Sequence, residues 1–264
     1  MTVGYRWVSL TTDYGHSDGF VAMLHGVIAR LAPEVRVIDV THDVDPGDVA
    51  RGAAVLAQVV PHLPEGIHVA IVDPGVGTGR RAVAIRTPSG LLIGPDNGLL
   101  MPAADVLGGA DAAATLTNTG WHGGAVSATF HGRDIFAPAA ARLASGLAFA
   151  EAGPEIDPTS LVRLPAPSST IGDGFVEAEV LTVDRFGNVQ LAAPATAALD
   201  ALGRGNVLVG GLNAVCGVTF AQVPSGAMVV FGDSAGYLAI AVNNGLAVVA
   251  LGVEAGDMIR LDRI

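Results

Sequence analysis

The sequence predicts an α/β N-terminal domain, with a mainly parallel sheet flanked by helices, followed by a smaller all-β, barrel-like C-terminal domain. In roughly the first 160 residues, short apolar runs alternate with stretches of helical periodicity, which is typical of parallel strands joined by crossover helices. From Phe175 onward, short strands with alternating apolar residues favour a small barrel or sandwich. We predict domains at residues 1–163 and 174–264, joined by a linker at residues 164–173.

Each N-terminal element is predicted from the spacing of its apolar residues. The predicted strands span residues 7–10, 35–40, 67–72, 82–85 and 91–93, and the last two pair around a turn at residues 87–90. The predicted helices span residues 20–31, 48–60 and 134–145. Asp18 and Asp48 stand at the start of the first two helices, where a carboxylate can accept a hydrogen bond from a backbone N–H that lacks a helical partner.

The C-terminal half begins after a stretch rich in Pro and Ser, from Leu164 to Gly172, which has the composition of a linker. Strands are predicted at residues 176–183, 228–231, 237–242, 247–251 and 258–261. Asn and Gly tolerate positive φ angles, so the sequence Asn243-Asn244-Gly245 predicts a hairpin turn between the third and fourth of these strands.

Composition restricts the class of function. The formal net charge is −11, and a strongly acidic protein repels phosphate backbones, so we expect no nucleic-acid partner. The uncharged stretch from Gly205 to Gly232 is interrupted by glycines and Pro224, which argues against a membrane-spanning helix. Cys216 is the only cysteine, so no disulfide forms within the chain, and a cytoplasmic location fits.

The most informative segment runs from Val72 to Arg81, with the sequence Val-Asp-Pro-Gly-Val-Gly-Thr-Gly-Arg-Arg. Ligands of open α/β sheets bind beyond the carboxyl ends of the strands, and Asp73 would lie there because it follows an apolar strand. The glycines allow the backbone to approach a ligand closely. An ordinary turn is the alternative, because Asp-Pro-Gly is common in turns. The segment matches neither a Walker A loop nor a dinucleotide-binding fingerprint.

Other segments of the first half carry polar side chains at predicted element ends. Asp13 follows the first strand, where a carboxylate could accept hydrogen bonds from the hydroxyls of a ribose. His131 precedes the last helix and is flanked by Gly132, Arg133 and Asp134, although a lone histidine is more often structural. The acidic stretch around His42 matches no EF-hand loop, and turn and capping roles explain it, so we predict no metal site.

Two loops of the second half are candidates for binding. Residues 184–188, Asp-Arg-Phe-Gly-Asn, join two predicted strands. Asp184 could bind an amine, Phe186 could stack on a ring and Asn188 could donate an amide hydrogen, but a turn with one packed Phe is the alternative. The second loop, residues 232–237, contains Ser234 and Tyr237 and precedes the turn at Asn244.

Six segments in order along the chain together resemble one family, the SAM hydroxide adenosyltransferases. These are the adenosine-forming S-adenosylmethionine (SAM) hydrolases, which are related to the fluorinase and the chlorinase. The matching segments are residues 12–15, 72–78, 94–98, 130–134, 184–188 and 234–237. The resemblance implies the two-domain fold and a homotrimer, whose active sites lie between the N-terminal domain of one subunit and the C-terminal domain of its neighbour.

The resemblance also implies roles for individual residues. Asp73, Arg80 and His131 would position the attacking water. Substrate-binding roles are implied for Asp13 at the ribose, Asp184 and Ser234 at the amino-acid end, Phe186 and Asn188 at the adenine, and also for Tyr237 and Asn244. Arg81 lies beside Arg80, so a shift of one residue in the loop would exchange their roles.

The implied reaction is attack of water on the ribose C5′ of SAM, which yields adenosine and methionine. The sulfonium leaves as a neutral thioether, so the protein has only to activate water, by Asp73 or by His131, and needs no metal or other cofactor. A halogenase is the nearest alternative, but a halide about 4 Å from a carboxylate costs on the order of 4 kcal/mol at an effective dielectric of about 20. A non-catalytic SAM- or adenosine-binding protein is the other alternative. One hypothesis for the purpose is removal of the wrong sulfonium epimer.

Overall fold

A computed structural model of the chain describes residues 4–264. Within them the chain divides into an N-terminal unit that ends at Leu164 and a C-terminal unit, Pro165–Ile264. The first three residues of the predicted N-terminal domain lie outside the described range. Among the helices of residues 4–264, none is long and apolar enough to cross a membrane.

The N-terminal unit is built around a seven-stranded sheet. Its strands are β1 (Trp7–Thr12), β2 (Arg36–Thr41), β3 (Gly66–Ile71), β4 (Ala82–Thr87), β5 (Gly90–Pro95), β6 (Ala112–Thr115) and β7 (Glu155–Ile156), in the spatial order β2-β1-β3-β5-β4-β6-β7. The pairs β2–β1, β1–β3 and β3–β5 are parallel, whereas β5–β4, β4–β6 and β6–β7 are antiparallel. The α/β fold is confirmed, but the sheet is mixed, because the β4–β5 hairpin reverses the chain direction.

Helices cover both faces of this sheet. They are α1 (Phe20–Leu31), α2 (Val49–Val59), α3 (Met101–Val106) and α4 (Ala137–Ala144), with α1 packed on α4 and α2 on α3. In β3, Val69 and Ile71 join the core under α1 and α4, whereas Ala70 joins the core under α2 and α3. Because successive residues of a strand face opposite sides, burial of both faces produces the largely apolar run seen in the sequence.

The helix starts show where local prediction succeeds. Asp48 caps α2, since its Oδ1 accepts a hydrogen bond from the Arg51 N–H at 2.9 Å. The expectation that Asp18 caps α1 is wrong, because the N-cap is Gly19, one residue later, and no side chain caps this helix. The helix predicted at 134–145 begins instead with a π-helical turn, Gly132–Phe136, which leads into α4.

The C-terminal unit is a closed β-barrel. Its elements are β8 (Ser169–Gly172), β9 (Phe175–Val183), β10 (Val189–Pro194), α5 (Ala195–Leu202), β11 (Gly205–Val209), β12 (Leu212–Cys216), β13 (Met228–Gly232), β14 (Tyr237–Val242), α6 (Ala247–Leu251) and β15 (Met258–Arg263). Seven strands close in the order β10-β14-β13-β12-β11-β15-β9, since β9 also pairs with β10. The predicted barrel is therefore confirmed. The eighth strand, β8, extends the sheet beside β9 and lies within the segment 164–173.

One predicted strand of this unit is wrong, because residues 247–251 form the helix α6. β14 already pairs with β10 on one edge and with β13 on the other, so a following strand has no free edge to join. Asn244 does adopt a positive φ, 57°, as its turn chemistry predicts, but the turn leads out of the barrel into a helix. Ala247, the first residue of this helix, packs into the barrel core and is fully buried.

Candidate active site

Three side chains of the N-terminal unit form a hydrogen-bonded row at the carboxyl edge of the sheet. Asp73 follows β3, and its Oδ1 and Oδ2 accept hydrogen bonds from Arg80 Nε at 3.0 and 3.1 Å. Arg80 Nη2 contacts Asp73 Oδ2 and also lies 2.7 Å from His131 Nδ1. The Asp73 and Arg80 side chains are only 7% and 10% exposed, so this ion pair is largely removed from water.

Backbone turns in the loop after Asp73 bring Arg80 back to it. The N–H of Val76 donates to the carbonyl of Asp73 at 3.1 Å, and Thr78 Oγ1 donates to the carbonyl of Gly75 at 2.7 Å. Gly77 has a φ of 77°, and a Cβ there would lie 2.3 Å from the carbonyl oxygen of Ala128. Only glycine therefore lets this loop pack against the segment that precedes His131.

The hydrogen bond from Arg80 fixes the tautomer of His131. A guanidinium has donors but no acceptor, so the Nδ1 atom of His131 must present its lone pair to Arg80 Nη2. In the neutral ring the hydrogen then resides on Nε2, which is free to donate. Burial, together with the positive charge of Arg80, lowers the pKa of His131 below its usual value, which favours this neutral form.

Arg81 takes a different set of partners from Arg80. Its Nε donates to Asp96 Oδ2 at 2.7 Å and its Nη1 donates to Ser160 Oγ at 3.0 Å. It therefore ties β4 to the segments around Asp96 and Ser160. Of the two adjacent arginines, Arg80 is the one that contacts both Asp73 and His131.

The row borders a cavity of about 390 Å³, lined by Asp13, Tyr14, Pro46, Gly47, Asp73, Pro74, Val76, Thr129, His131 and Gly132. Asp13 lies directly after β1 and reaches this cavity, with one carboxylate oxygen accepting from the Gly47 N–H at 2.9 Å. The cavity thus contains three carboxylate or imidazole groups, Asp13, Asp73 and His131, that the sequence had singled out. A small molecule with hydroxyl groups and a cationic centre suits such a lining.

Sequence reasoning missed two supporting residues. Tyr14 packs edge-on against Phe130, and burial raises the pKa of its hydroxyl, so it stays protonated. A Cβ on Gly132 would lie 2.4 Å from that hydroxyl oxygen, so a larger residue beside His131 would displace Tyr14. Asn97 donates through Nδ2 to the carbonyl of Val72 at 2.9 Å and so holds the strand end that carries Asp73. Both Tyr14 and Asn97 lie in segments that carried the family resemblance.

The C-terminal unit has its own cavity, of about 720 Å³, lined by Phe186, Asn188, Phe220, Ala241, Val242, Asn243, Asn244, Gly245 and Leu246. The structure thus brings together Phe186, Asn188 and Asn244, three of the predicted substrate-binding residues. Phe186 is 74% exposed, which is unusual for a large aromatic side chain and leaves its ring open to stacking.

The other predicted residues of this unit do not line that cavity. The Asp184 carboxylate organises its own turn, since Oδ1 accepts from the N–H groups of Phe186 and Asn188 at 2.8 and 2.9 Å. Ser234 and Tyr237 lie at the opposite end of β14 from Asn244. The turn there is held by Asp233, whose Oδ1 accepts from the N–H of Tyr237 at 2.9 Å, a role that sequence reasoning missed.

Two family models match the chain. The SAM hydroxide adenosyltransferase N-terminal domain matches residues 8–153, and the corresponding C-terminal domain matches residues 178–260. The chain belongs to the SAM hydroxide adenosyltransferase family. One member, a protein from Salinispora arenicola (strain CNS-205) named (R)-S-adenosyl-L-methionine hydrolase, is 60% identical to it over 256 residues, which is 97% of each chain.

Two further comparisons give a solved structure and a fluorinase to which the chain is similar. The crystal structure of an uncharacterized conserved protein from Thermotoga maritima matches with a TM-score of 0.90 and 34% identity, covering 97% of this chain and 100% of that one. A fluorinase from Actinoplanes sp. (strain N902-109) is 27% identical over 208 residues, which is 69% of this chain and 70% of the fluorinase. The identity to the named hydrolase is thus more than twice the identity to this halogenating relative.

Proposed function

We propose that this protein hydrolyses SAM to adenosine and methionine, with the (R) epimer at sulfur as its substrate. The observation that carries this proposal is the Asp73–Arg80–His131 row at the edge of a cavity that also contains Asp13. The 60% identity to a protein named (R)-S-adenosyl-L-methionine hydrolase supports both the reaction and the epimer.

In the proposed reaction, a water molecule sits between Asp73 and His131 and attacks C5′ of the ribose. The C5′–O bond forms as the C5′–S bond breaks, and the bonding electrons stay on sulfur, which leaves as the neutral thioether of methionine. His131 donates its Nε2 hydrogen to the water oxygen and so orients a lone pair toward C5′. Because Nε2 already carries a hydrogen, the proton lost by the water passes to Asp73, whose carboxylate has acceptor positions beyond those that Arg80 occupies.

Arg80 contributes position and charge in this scheme. Its guanidinium holds the Asp73 carboxylate in position, and the same Nη2 atom sets the tautomer of His131. Holding the water in line behind C5′ adds an orientation term to the rate. No metal or other cofactor takes part in the proposed step, since the leaving group needs no Lewis acid.

Substrate contacts complete the proposal. Asp13 binds the ribose hydroxyls, Phe186 stacks on the adenine, and Asn188 and Asn244 supply polar contacts to it. Asp184 and Ser234 bind the amino-acid end, and Tyr237 assists there. We further propose a cytoplasmic protein of two domains, residues 1–163 and 174–264, with residues 164–173 joining them.

The decisive experiment supplies purified protein with an epimer mixture of SAM and, separately, with (S)-SAM, and follows adenosine and methionine by chromatography. We expect the (R) fraction to be consumed and the (S) epimer to persist. Intact SAM that is bound but not cleaved would favour a non-catalytic binding protein. Adding excess chloride or fluoride tests the halogenase alternative, and formation of 5′-haloadenosine at the rate of adenosine release would establish it.

We also propose a homotrimer in which each active site takes its catalytic row from one subunit and its adenine contacts from a neighbour. Mixing His131→Ala subunits with Asn188→Ala subunits, after dissociation and reassembly, tests this arrangement. If neighbours share sites, some sites in the mixed oligomer combine two unaltered parts, and activity returns to a measurable fraction of wild type. If each subunit builds its site alone, the mixture stays as inactive as its parents.

A pH profile tests the role of His131. Its pKa is lowered, so in the folded protein the ring stays neutral as pH falls through 6.5 and gains a proton only below that. We therefore expect kcat to hold constant around neutral pH and to fall only at a pH below 6.5, as Nδ1 becomes protonated and can no longer accept from Arg80. His131→Gln keeps one acceptor and one donor but does not titrate, so it should retain partial activity and lose this acid limb. If kcat of His131→Gln fell at acidic pH in the same way as kcat of the wild type, titration of His131 would not be the cause of that fall.

A further inference from the structure

A second group of chemically active side chains lies in the N-terminal unit, and the proposed hydrolysis does not use it. His25 comes from α1, Asp39 from β2, and His42 from the loop that follows β2. His25 Nε2 lies 2.9 Å from Asp39 Oδ1, and His42 Nε2 lies 3.0 Å from the same oxygen. One candidate ligand atom from each residue falls within 4.8 Å of both others. We refer to these residues as the His25–Asp39–His42 cluster.

The environment of His42 distinguishes this cluster from a surface ion pair. The His42 side chain is completely buried, and its Nδ1 lies 2.8 Å from Thr12 Oγ1. Its Nε2 makes no hydrogen bond of acceptable geometry with any of residues 4–264, although Asp39 Oδ1 is near. Where Nδ1–H donates to Thr12 Oγ1, the Nε2 lone pair faces a carboxylate oxygen, and two lone pairs at this distance repel each other. A cation between them would remove the repulsion and satisfy the buried nitrogen.

We propose that the His25–Asp39–His42 cluster binds one divalent transition-metal ion of the Zn²⁺ type. Two imidazoles and a carboxylate suit Zn²⁺, Co²⁺ or Ni²⁺ better than Mg²⁺ or Ca²⁺, which prefer oxygen ligands. Ligand atoms about 2.0–2.1 Å from a tetrahedral zinc lie roughly 3.3 Å apart. The two separations between a histidine nitrogen and Asp39 Oδ1, 2.9 and 3.0 Å, therefore need to change by only a few tenths of an ångström. His25 and Asp39 are 38% and 41% exposed, which gives the ion a path of entry and room for bound water.

The surroundings of His42 resemble the second layer of known metal sites. Histidine ligands usually donate their other ring N–H to a neighbouring acceptor, which fixes the ring and its tautomer, and Thr12 Oγ1 occupies that position here. The carbonyl of His42 also accepts from the N–H of Gly15 at 2.7 Å. A bound ion would therefore connect α1 and β2 to the loop after β1, which carries Asp13. We assign the ion a structural role in holding this loop.

The sequence predicted no metal site around His42, and the structure suggests why a pattern search fails there. The first ligand lies far from the other two along the chain, on a helix, and the remaining two fall at the end of a strand and in a loop. No motif of fixed spacing joins them. The acidic residues that follow His42, which drew attention in the sequence, take no part in the cluster.

Titration of chelator-treated protein with Zn²⁺ by calorimetry, and with Co²⁺ by visible absorption, tests the site. We expect one ion per chain, a Co²⁺ spectrum with nitrogen ligation, and a higher unfolding temperature with Zn²⁺. Asp39→Asn and His25→Gln alter half-exposed side chains that the fold tolerates, and each should weaken binding by more than about 100-fold. Thr12→Val should weaken it by about 10–100-fold through the orientation of His42.

His62→Gln is the matched control, since His62 is an exposed histidine outside the cluster, and it should bind Zn²⁺ like the wild type. Absence of Zn²⁺ binding to the wild type would overturn the proposal. So would equal affinity in Asp39→Asn and His62→Gln, which would indicate scattered surface histidines. These binding measurements need no SAM, so their outcome is independent of the proposed hydrolysis.

Discussion

Replacing Asp73 with Asn is expected to lower kcat for adenosine release by about 10²–10⁴-fold, the usual contribution of a positioned general base. The amide has nearly the size of the carboxylate, and its oxygen can still accept from Arg80, so the affinity for SAM should change little. The largely buried charge of Arg80 loses its partner, however, so we also expect a loss of stability. What the amide loses is the ability to take a proton from the attacking water. Steady-state kinetics with (R)-SAM, together with a binding measurement, separate the loss in rate from any loss in affinity.

Asp18→Asn is the control for this substitution. Asp18 lies in the loop after β1 and is exposed, and it caps no helix, so its conversion should leave kcat within about twofold of wild type, as for other surface substitutions. If Asp73→Asn retained most of the activity, Asp73 would not be the base, and the proton would have to leave by another route.

Replacing Arg80 with Met is expected to affect both stability and rate. Asp73 is 7% exposed, and without Arg80 its charge would remain buried with no partner, which typically costs about 3–5 kcal/mol. The guanidinium also lies over the Phe136 ring, 5.3 Å from its centroid, so packing is lost as well. The loss of rate should match that of Asp73→Asn, since both Asp73 and His131 lose their orienting donor. Urea unfolding and steady-state kinetics measure the two effects.

Arg163→Met provides the comparison for stability. Arg163 pairs with Asp105 at 2.7 Å, but these side chains are 58% and 50% exposed, so removing the pair should cost less than about 1 kcal/mol. Arg80→Lys should not restore the wild-type rate, because an ammonium cannot span both Asp73 and His131 as the planar fork does. Full activity of Arg80→Lys would show that the positive charge at this position is sufficient for the rate. Equal unfolding midpoints for Arg80→Met and Arg163→Met would show that the buried pair stabilises the fold no more than the exposed pair does.

Much of the fold could be read from local pattern. α1 begins and ends at the predicted residues because its apolar side chains follow helical spacing along its whole length. β3 was recognisable as an apolar run, interrupted by His68, which is typical of a strand buried on both faces. The positions of Asp13 and Asp73 after such strands, and of His131 before a helix, could be anticipated in the same way, whereas the roles of these residues stay predictions.

The two errors that concern strands share one physical cause, which is that pairing partners are not encoded locally. Residues 247–251 have the composition of a strand, but the edges of β14 are already occupied, so they form a helix. The antiparallel half of the first sheet follows from the path of the β4–β5 hairpin rather than from composition. The same limit applies to Arg80 and Arg81, because only the folding of the loop decides which guanidinium reaches Asp73.

The position of Arg80 between its two neighbours has a consequence for the end of the catalytic cycle. An arginine that donates hydrogen bonds on both sides cannot relay a proton, because its guanidinium has no lone pair to accept one. In the proposed mechanism, Asp73 therefore cannot relay its proton to His131 through Arg80, and we expect the proton to leave through the cavity that holds the products. On that scheme, the Asp73 carboxylate is regenerated only after the products leave the cavity, so product release precedes the next round of water activation.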